Sequence, residues 1–291
     1  MSKIDLKNIS HSYNPNDPNP TYALNPFSMT WENGKRYAIL GPSGCGKTTM
    51  LNIVSGLVRP SAGNILFDDK DVTDLKTESR NIAQVFQFPV IYNTMTVYEN
   101  LAFPLKCRDF LKDKIEERVN SVADTLNLKS FLNSPARKLT ADQKQLISLG
   151  RGLVREDVAA VLMDEPLTVI DPDLKFRLRR KLKEINEEFK TTLVYVTHDQ
   201  NEAMTFADNI IVMSEGEVVQ AGTPKELFER PNTTFVGYFI GSPAMNLFES
   251  EVSSNDGVKI NNTLVKTNTD LSSLKSKNIK LGIRSEFIKI A

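Results

Sequence analysis

The chain reads as an α/β protein built on a mostly parallel sheet, followed by a smaller β-rich region. Three observations predict this. Short apolar runs alternate with amphipathic helical stretches from Arg36 to Met213. A glycine-rich motif, Gly41-Pro42-Ser43-Gly44-Cys45-Gly46-Lys47-Thr48, joins the first of those runs to the first of those helices. After about Phe235 the character changes, and from Leu247 the chain is rich in Ser, Asn and Thr. A length of 291 residues, at about 150 per domain, suits one large domain and a smaller piece.

Taken in order, Ile4 to Ile9 alternate and predict a strand. Asn14 to Pro20 must be a loop, since every residue there is Asn, Asp or Pro. Arg36 to Leu40 predict a short buried strand, and the helix after the glycine-rich motif carries Met50, Val54 and Leu57 at helical spacing. Between Lys112 and Leu128, the residues Ile115, Val119, Val122 and Leu126 fall on one helical face. A helix starts at Thr140, a strand runs from Val158 to Met163, and a long helix runs from Pro172 to Phe189. Thr192 to Val196 form a further strand. Ser214-Glu215-Gly216 turns a hairpin between Ile210–Met213 and Val218–Gln220. Asp256-Gly257 signals another hairpin.

Composition excludes several classes. Lys+Arg and Asp+Glu number 36 each, so the formal charge is zero and no nucleic-acid partner is expected. Apolar residues at 40 % and charged residues at 25 % argue against disorder. Cys45 and Cys107 cannot build a disulfide framework, which favours a reducing compartment. The N-terminus has no signal-peptide core. The longest clean apolar run, Val158 to Met163, falls far short of the 18 or so residues of a membrane helix. A membrane role would therefore act through a partner.

The motif Gly41 to Thr48 fits G-x-x-x-x-G-K-[ST], between a predicted strand and a predicted helix, the context that supports a phosphate site. Its glycines let backbone N–H groups curl around phosphate oxygens at a helix N-terminus. Ser43, Gly44, Cys45, Gly46, Lys47, Thr48 and Thr49 are the candidate nucleotide-binding residues. Lys47 can reach the outer phosphates and Thr48 can ligate Mg²⁺. Cys45 is either a small residue that fits or a low-pKa thiol. Val161-Leu162-Met163-Asp164-Glu165 is an apolar strand ending in two carboxylates. Asp164 can hold Mg²⁺, and Glu165 can take a proton from an attacking water.

The order of this loop, Val85-Phe86-Gln87, Leu139 to Gln143, Asp164-Glu165-Pro166, Asp171 and Thr197-His198-Asp199 resembles an ATP-binding-cassette ATPase over essentially the whole chain. Met95 to Leu105, Tyr195 to Met204, Gly222-Thr223-Pro224 with Phe235-Val236, and Gly241 to Asn246 are similar to the ATPases of carbohydrate importers, including the maltose and glycerol-3-phosphate systems. The resemblance implies an ATPase domain over 1–235, with a helical subdomain near 88–155. A linker and part of an oligonucleotide-binding-like β-barrel follow over 236–291, where Leu281-Gly282-Ile283-Arg284 matches a barrel strand and the family barrel continues past Ala291. It implies ATP and Mg²⁺, with Tyr13 on the adenine, Gln87 on Mg²⁺ and the γ-phosphate, and His198 orienting the attacking water. It also implies membrane permease partners, an indirect solute-binding protein, a second ATPase subunit, and a place at the cytoplasmic face of the membrane. A non-transport cassette protein is disfavoured by the importer-type stretch Met95 to Leu105.

One motif departs from the family pattern. Leu-Ser-Gly-Gly-Gln is here Leu139-Thr140-Ala141-Asp142-Gln143. Ala141 and Asp142 add side chains where glycines let backbone approach the γ-phosphate of the opposite subunit. A carboxylate about 5 Å from a phosphate charge costs roughly 3 kcal/mol at an effective dielectric of about 20. Thr140-x-x-Gln143 also fits a capping box, with Asp142 favourably placed on the helix dipole. The usual Ser-Asn-Leu-Asp is here Thr168-Val169-Ile170-Asp171, again at the family's dimer seam. These changes are similar to those of paired ATPases in bacterial glycerol importers. They predict a heterodimer with a paralogue, the alternative being a regulatory, weakly hydrolysing subunit.

Overall fold

The computed structural model describes residues 2–168, 170–267, 270–274 and 278–288. Val169, in the altered seam loop, and Ala291 lie outside the described residues. The chain divides into two compact units, Met1–Ala221 and Gly222–Ala291.

In the first unit, strands β1 (Ile4–Ser12), β2 (Tyr22–Trp31) and β3 (Arg36–Leu40) lead into helix α1 (Lys47–Ser55). Then come β4 (Ala62–Phe67), β5 (Lys70–Asp71), β6 (Ile82–Val85), α2 (Val97–Lys106), α3 (Lys112–Thr125) and α4 (Ala141–Leu153). The unit closes with β7 (Ala160–Asp164), α5 (Pro172–Phe189), β8 (Leu193–Thr197), α6 (Gln200–Phe206), β9 (Asn209–Ser214) and β10 (Glu217–Gly222).

The central sheet has the order β10-β9-β3-β8-β7-β6, and its pairs β9-β3, β3-β8, β8-β7 and β7-β6 are parallel. Side chains alternate between its faces. Val161, Met163, Leu193 and Tyr195 join one buried cluster with α2, α3, α4 and α5. Ala160, Leu162, Val194 and Val196 join a second with α1 and strands β1 and β4. Burial on both faces explains why these strands read as unbroken apolar runs in the sequence. The ends of β7 and β8 fall later than the apolar runs suggest. Parallel register sets them, pairing Val161 with Leu193 and Asp164 with Val196.

The strands β2-β1-β4-β5 form an antiparallel sheet, of which the sequence pattern shows only Ile4 to Ile9 of β1. Helices α2, α3 and α4 make up the helical part. Gly150 lets α4 approach α2, since a Cβ there would sit 2.6 Å from Leu101 Cδ2.

The second unit contains α7 (Pro224–Glu229), α8 (Thr234–Phe239), β11 (Asn246–Ser254), β12 (Gly257–Ile260), β13 (Thr263–Lys266) and β14 (Asn278–Ile283). Its four strands run antiparallel in the order β13-β12-β11-β14. The division precedes Phe235 because α7 and α8 group with β11 and β14. Ser254 pairs with Gly257, so Asn255-Asp256 make the turn and Gly257 begins the returning strand. Arg284 is buried here, its Nε donating to Phe228 O at 2.7 Å and one Nη to Ile240 O at 2.6 Å.

Candidate active site

The loops after β3, β6, β7 and β8 leave the carboxyl ends of parallel strands, where α/β sheets place their ligand crevice. A cleft of about 580 Å³ opens there. Its lining includes Tyr13, Ser43, Gly44, Gly46, Lys47, Thr48, Thr49, Gln87, Glu165 and His198. Ala23, which no sequence motif marks, and Thr168, from the altered seam loop, complete the lining.

Gly46 caps α1 in the left-handed region, φ 101°, and a Cβ there would lie 2.4 Å from Ala23 O. No side chain caps this helix and its first turn has no acidic residue. Its N-terminal N–H groups thus have no capping side chain, as an anion cradle requires. Lys47 Nζ is buried and donates to Gly41 O and Pro42 O, each at 2.8 Å. The loop's own carbonyls hold the ammonium in place. Tyr13 projects into solvent, its hydroxyl 3.1 Å from Thr49 Oγ1 and its ring edge-on to His11. An exposed ring face suits stacking on a flat heterocycle.

The Cys45 side chain does not line the cleft. It is buried among core residues, and burial raises its thiol, which keeps it protonated and unreactive. The Cys45 N–H donates to Pro42 O at 3.4 Å within the loop.

Asp164 ends β7 nearly buried. Burial raises its carboxyl; a bond with Thr48 lowers it, and the neighbouring Glu165 raises it again. A cation beside Asp164 and Thr48 would relieve that cost. Two protein oxygens suit Mg²⁺, which retains waters and takes phosphate oxygens as further ligands.

Glu165 has φ 44°, a left-handed conformation that costs a non-glycine residue about 1–3 kcal/mol. Its N–H donates to Val196 O at 3.1 Å, and Thr168 Oγ1 donates to its carbonyl at 3.1 Å. The bend brings Glu165 Oε2 to 3.2 Å from His198 Nδ1. Glu165 is largely enclosed, at 17 % side-chain exposure, whereas His198 remains 57 % exposed. The pair can accept a proton and orient a water in the same cleft as Lys47 and Thr48.

Gln87 lines the cleft from the loop after β6. Behind it, buried Gln145 on α4 donates to Phe86 O at 3.1 Å and Pro166 O at 2.9 Å. This side chain links the Gln87 loop to the Glu165 loop. Nothing in its local sequence marks it, since its role needs three separate segments.

Thr140, Ala141, Asp142, Gln143 and Asp171 do not line the cleft of their own chain. Thr140 N–H donates to Gln143 Oε1 at 3.1 Å and Gln143 N–H to Thr140 Oγ1 at 3.5 Å, the expected capping box. The Thr140 hydroxyl also donates to Asp142 Oδ1. Asp171 caps α5, accepting from the N–H groups of Asp173 and Leu174.

A phosphate loop, an acidic strand end and a histidine, all at the carboxyl ends of one parallel sheet, define a P-loop nucleoside triphosphatase. The family model described as ABC transporter matches residues 24–168. The chain is 40 % identical to the sn-glycerol-3-phosphate import ATP-binding protein UgpC of Psychromonas ingrahamii, over all of this chain and 76 % of that protein. It is 38 % identical to the ABC transporter ATP-binding protein YcjV of Escherichia coli, over 99 % of this chain and 80 % of that one. The solved structure of cbiO1 from Clostridium perfringens, part of the ABC transporter complex cbiONQ, matches with a TM-score of 0.69 and 29 % identity. That match covers 78 % of this chain and 90 % of that one. A dimeric ATP-binding cassette in a post-hydrolysis state with ADP and Pi matches with a TM-score of 0.68 and 29 % identity, covering 76 % of this chain and 98 % of that one. The chain therefore belongs to the ATP-binding subunits of ABC transporters. It is an ATPase coupled to transport.

Proposed function

We propose that this chain energises import of a sugar, polyol or polyol phosphate, with glycerol and glycerol-3-phosphate among the candidates. The relatives' names support that solute class. The observation that carries the catalytic reading is the strained Glu165, held 3.2 Å from His198 in the cleft that Lys47 and Thr48 line. Glu165 takes a proton from the attacking water, and His198 orients that water. Lys47 and the N–H groups around Gly44 and Gly46 bind phosphate oxygens, and Tyr13 stacks on the adenine. Thr48, Asp164 and Gln87 would hold Mg²⁺, which when bound offsets charge on the transferring phosphoryl group.

Among the described residues no helix is long and apolar enough to cross a membrane. The chain works at the cytoplasmic face of the membrane, on permease subunits that take solute from a binding protein. Its second ATPase subunit is a paralogue. Asp142 supports this, because it puts a carboxylate where the family pattern has a glycine facing the phosphate across a dimer seam. One site, with this chain's Lys47, Glu165 and His198 opposite an intact signature, turns over. The other, facing Asp142, binds ATP and turns over slowly. The same observation favours the second reading, a regulatory subunit, only if Glu165 proves dispensable.

The transport assignment is tested by sedimentation with membranes. The chain should sediment only when its permease is co-expressed, and permease-bound ATPase activity should rise with solute-loaded binding protein. Binding to protein-free liposomes, or no co-purification with a permease, would overturn it.

A further inference from the structure

Beside the cleft lies a buried carboxylate that the proposed chemistry does not use. Glu202, in the first turn of α6, is 6 % exposed. Its Oε2 accepts from Tyr195 Oη at 2.9 Å and from Thr197 Oγ1 at 2.8 Å. Its Oε1 accepts from an Arg179 Nη at 3.3 Å, with Lys175 Nζ at 3.9 Å. Tyr195 and Thr197 belong to β8, and Lys175 and Arg179 to α5. A single carboxylate thus gathers three elements.

His198 directly follows Thr197. The Thr197 hydroxyl serves both sides of it, donating to Glu202 and accepting from the Asp199 N–H at 3.0 Å. Asp199 Oδ1 in turn accepts from the N–H groups of Asn201 and Glu202, at 2.7 and 3.4 Å. The backbone on each side of His198 is therefore fixed to Glu202, directly or through Thr197. Burial, then the adjacent Glu202 carboxylate, holds the Tyr195 phenol well above its usual range, so it stays a donor. Buried ion pairs add little net stability, because desolvation offsets the attraction. What such a pair does supply is a fixed position.

We infer that Glu202 is a positioning residue: through Thr197 it sets His198 against Glu165, and through Arg179 and Lys175 it ties that setting to α5, the helix that Asp171 caps. This rests on the role given to His198 above.

The test is steady-state ATP hydrolysis by the assembled transporter. Glu202→Gln, Thr197→Val, Thr197→Ser and His198→Ala are measured singly, and the first two also on the His198→Ala background. Thr197→Val deletes the hydroxyl at nearly constant volume, and Thr197→Ser keeps it. Glu202→Gln and Thr197→Val should each lower kcat by roughly 10- to 10²-fold, the cost of a small misplacement. KM for ATP should stay within about two-fold, and neither change should lower kcat further once His198 is Ala, the signature of coupled residues. Thr197→Ser should restore turnover. Wild-type kcat in Glu202→Gln and Thr197→Val, or losses that multiply with His198→Ala, would overturn the inference and leave the role of His198 standing. Wild-type kcat in His198→Ala would overturn both. Should Glu202→Gln fail to fold, the Thr197 pair decides alone.

Discussion

At Gly46 a single missing Cβ decides whether the phosphate loop can form. The residue is left-handed and packs against Ala23 O, so Gly46→Ala meets both strain and a clash. Lys47 raises a different demand, since its ammonium must be present and held in place. Its bonds to Gly41 O and Pro42 O hold it before nucleotide arrives. Lys47→Ala should weaken ATP binding by about 1.5–3 kcal/mol, the worth of a bond to a charged group, or roughly ten- to a hundred-fold in Kd. Nucleotide titration with a circular-dichroism check on folding measures this, and an unchanged Kd would remove Lys47 from the phosphate site. These residues were legible in the sequence because the loop is contiguous and its spacing is dictated by one ligand. Cys45 was legible only as a position in the loop. Its burial depends on Gly41, Lys47 and the core, and spacing does not encode those contacts.

Among the elements, helices with a clean period and a cap were visible in advance. Helix α5 begins after Asp171 with Pro172 and ends at Phe189, as its apolar face indicates. Helix α2 was missed, because Pro104 lies within it and its apolar residues run together around Phe103. The Thr96–Glu99 capping box, which the structure forms, was the signal that could have found it. Most of the antiparallel sheet was also missed. In β2 the run Phe27-Ser28-Met29-Thr30-Trp31 alternates apolar and polar, with Phe27 and Met29 half-buried against the core and Trp31 buried, and that alternation was the signal that could have found it. Helix α4 shows how a cap can compete with function. Thr140→Ala should cost about 1 kcal/mol of stability, the usual worth of an N-cap hydroxyl. It should leave ATP affinity of the isolated chain unchanged, because the start of α4 is not in that chain's cleft. Chemical denaturation and nucleotide titration together check this. Lost ATP affinity without lost stability would contradict the capping assignment.

At the scale of the whole molecule, the parallel sheet gathers groups far apart in sequence. Thr48, Gln87, Glu165 and His198 follow four different strands, yet share one cleft because all four strands end at the same edge. Alternation of strand and helix was enough to foresee that edge. The network around Glu202 and the bridge made by Gln145 were not foreseeable, since each joins three segments whose proximity is a product of the fold. In the proposed pairing with a paralogue, Asp142 is what makes the two ATP sites unequal. The proposal gives this chain Lys47, Glu165 and His198 for one site and leaves the altered segment Thr140 to Gln143 facing the other. The most direct measurement is ATP turnover of the reconstituted transporter with Glu165→Gln in this chain, compared with the matching change in its partner. Glu165→Gln should leave ATP binding nearly intact and lower turnover by roughly 10²–10⁴-fold, the contribution of a general base, while the partner's change does much less. Unchanged turnover, equal losses from the two changes, or full activity from this chain alone as a homodimer would contradict it.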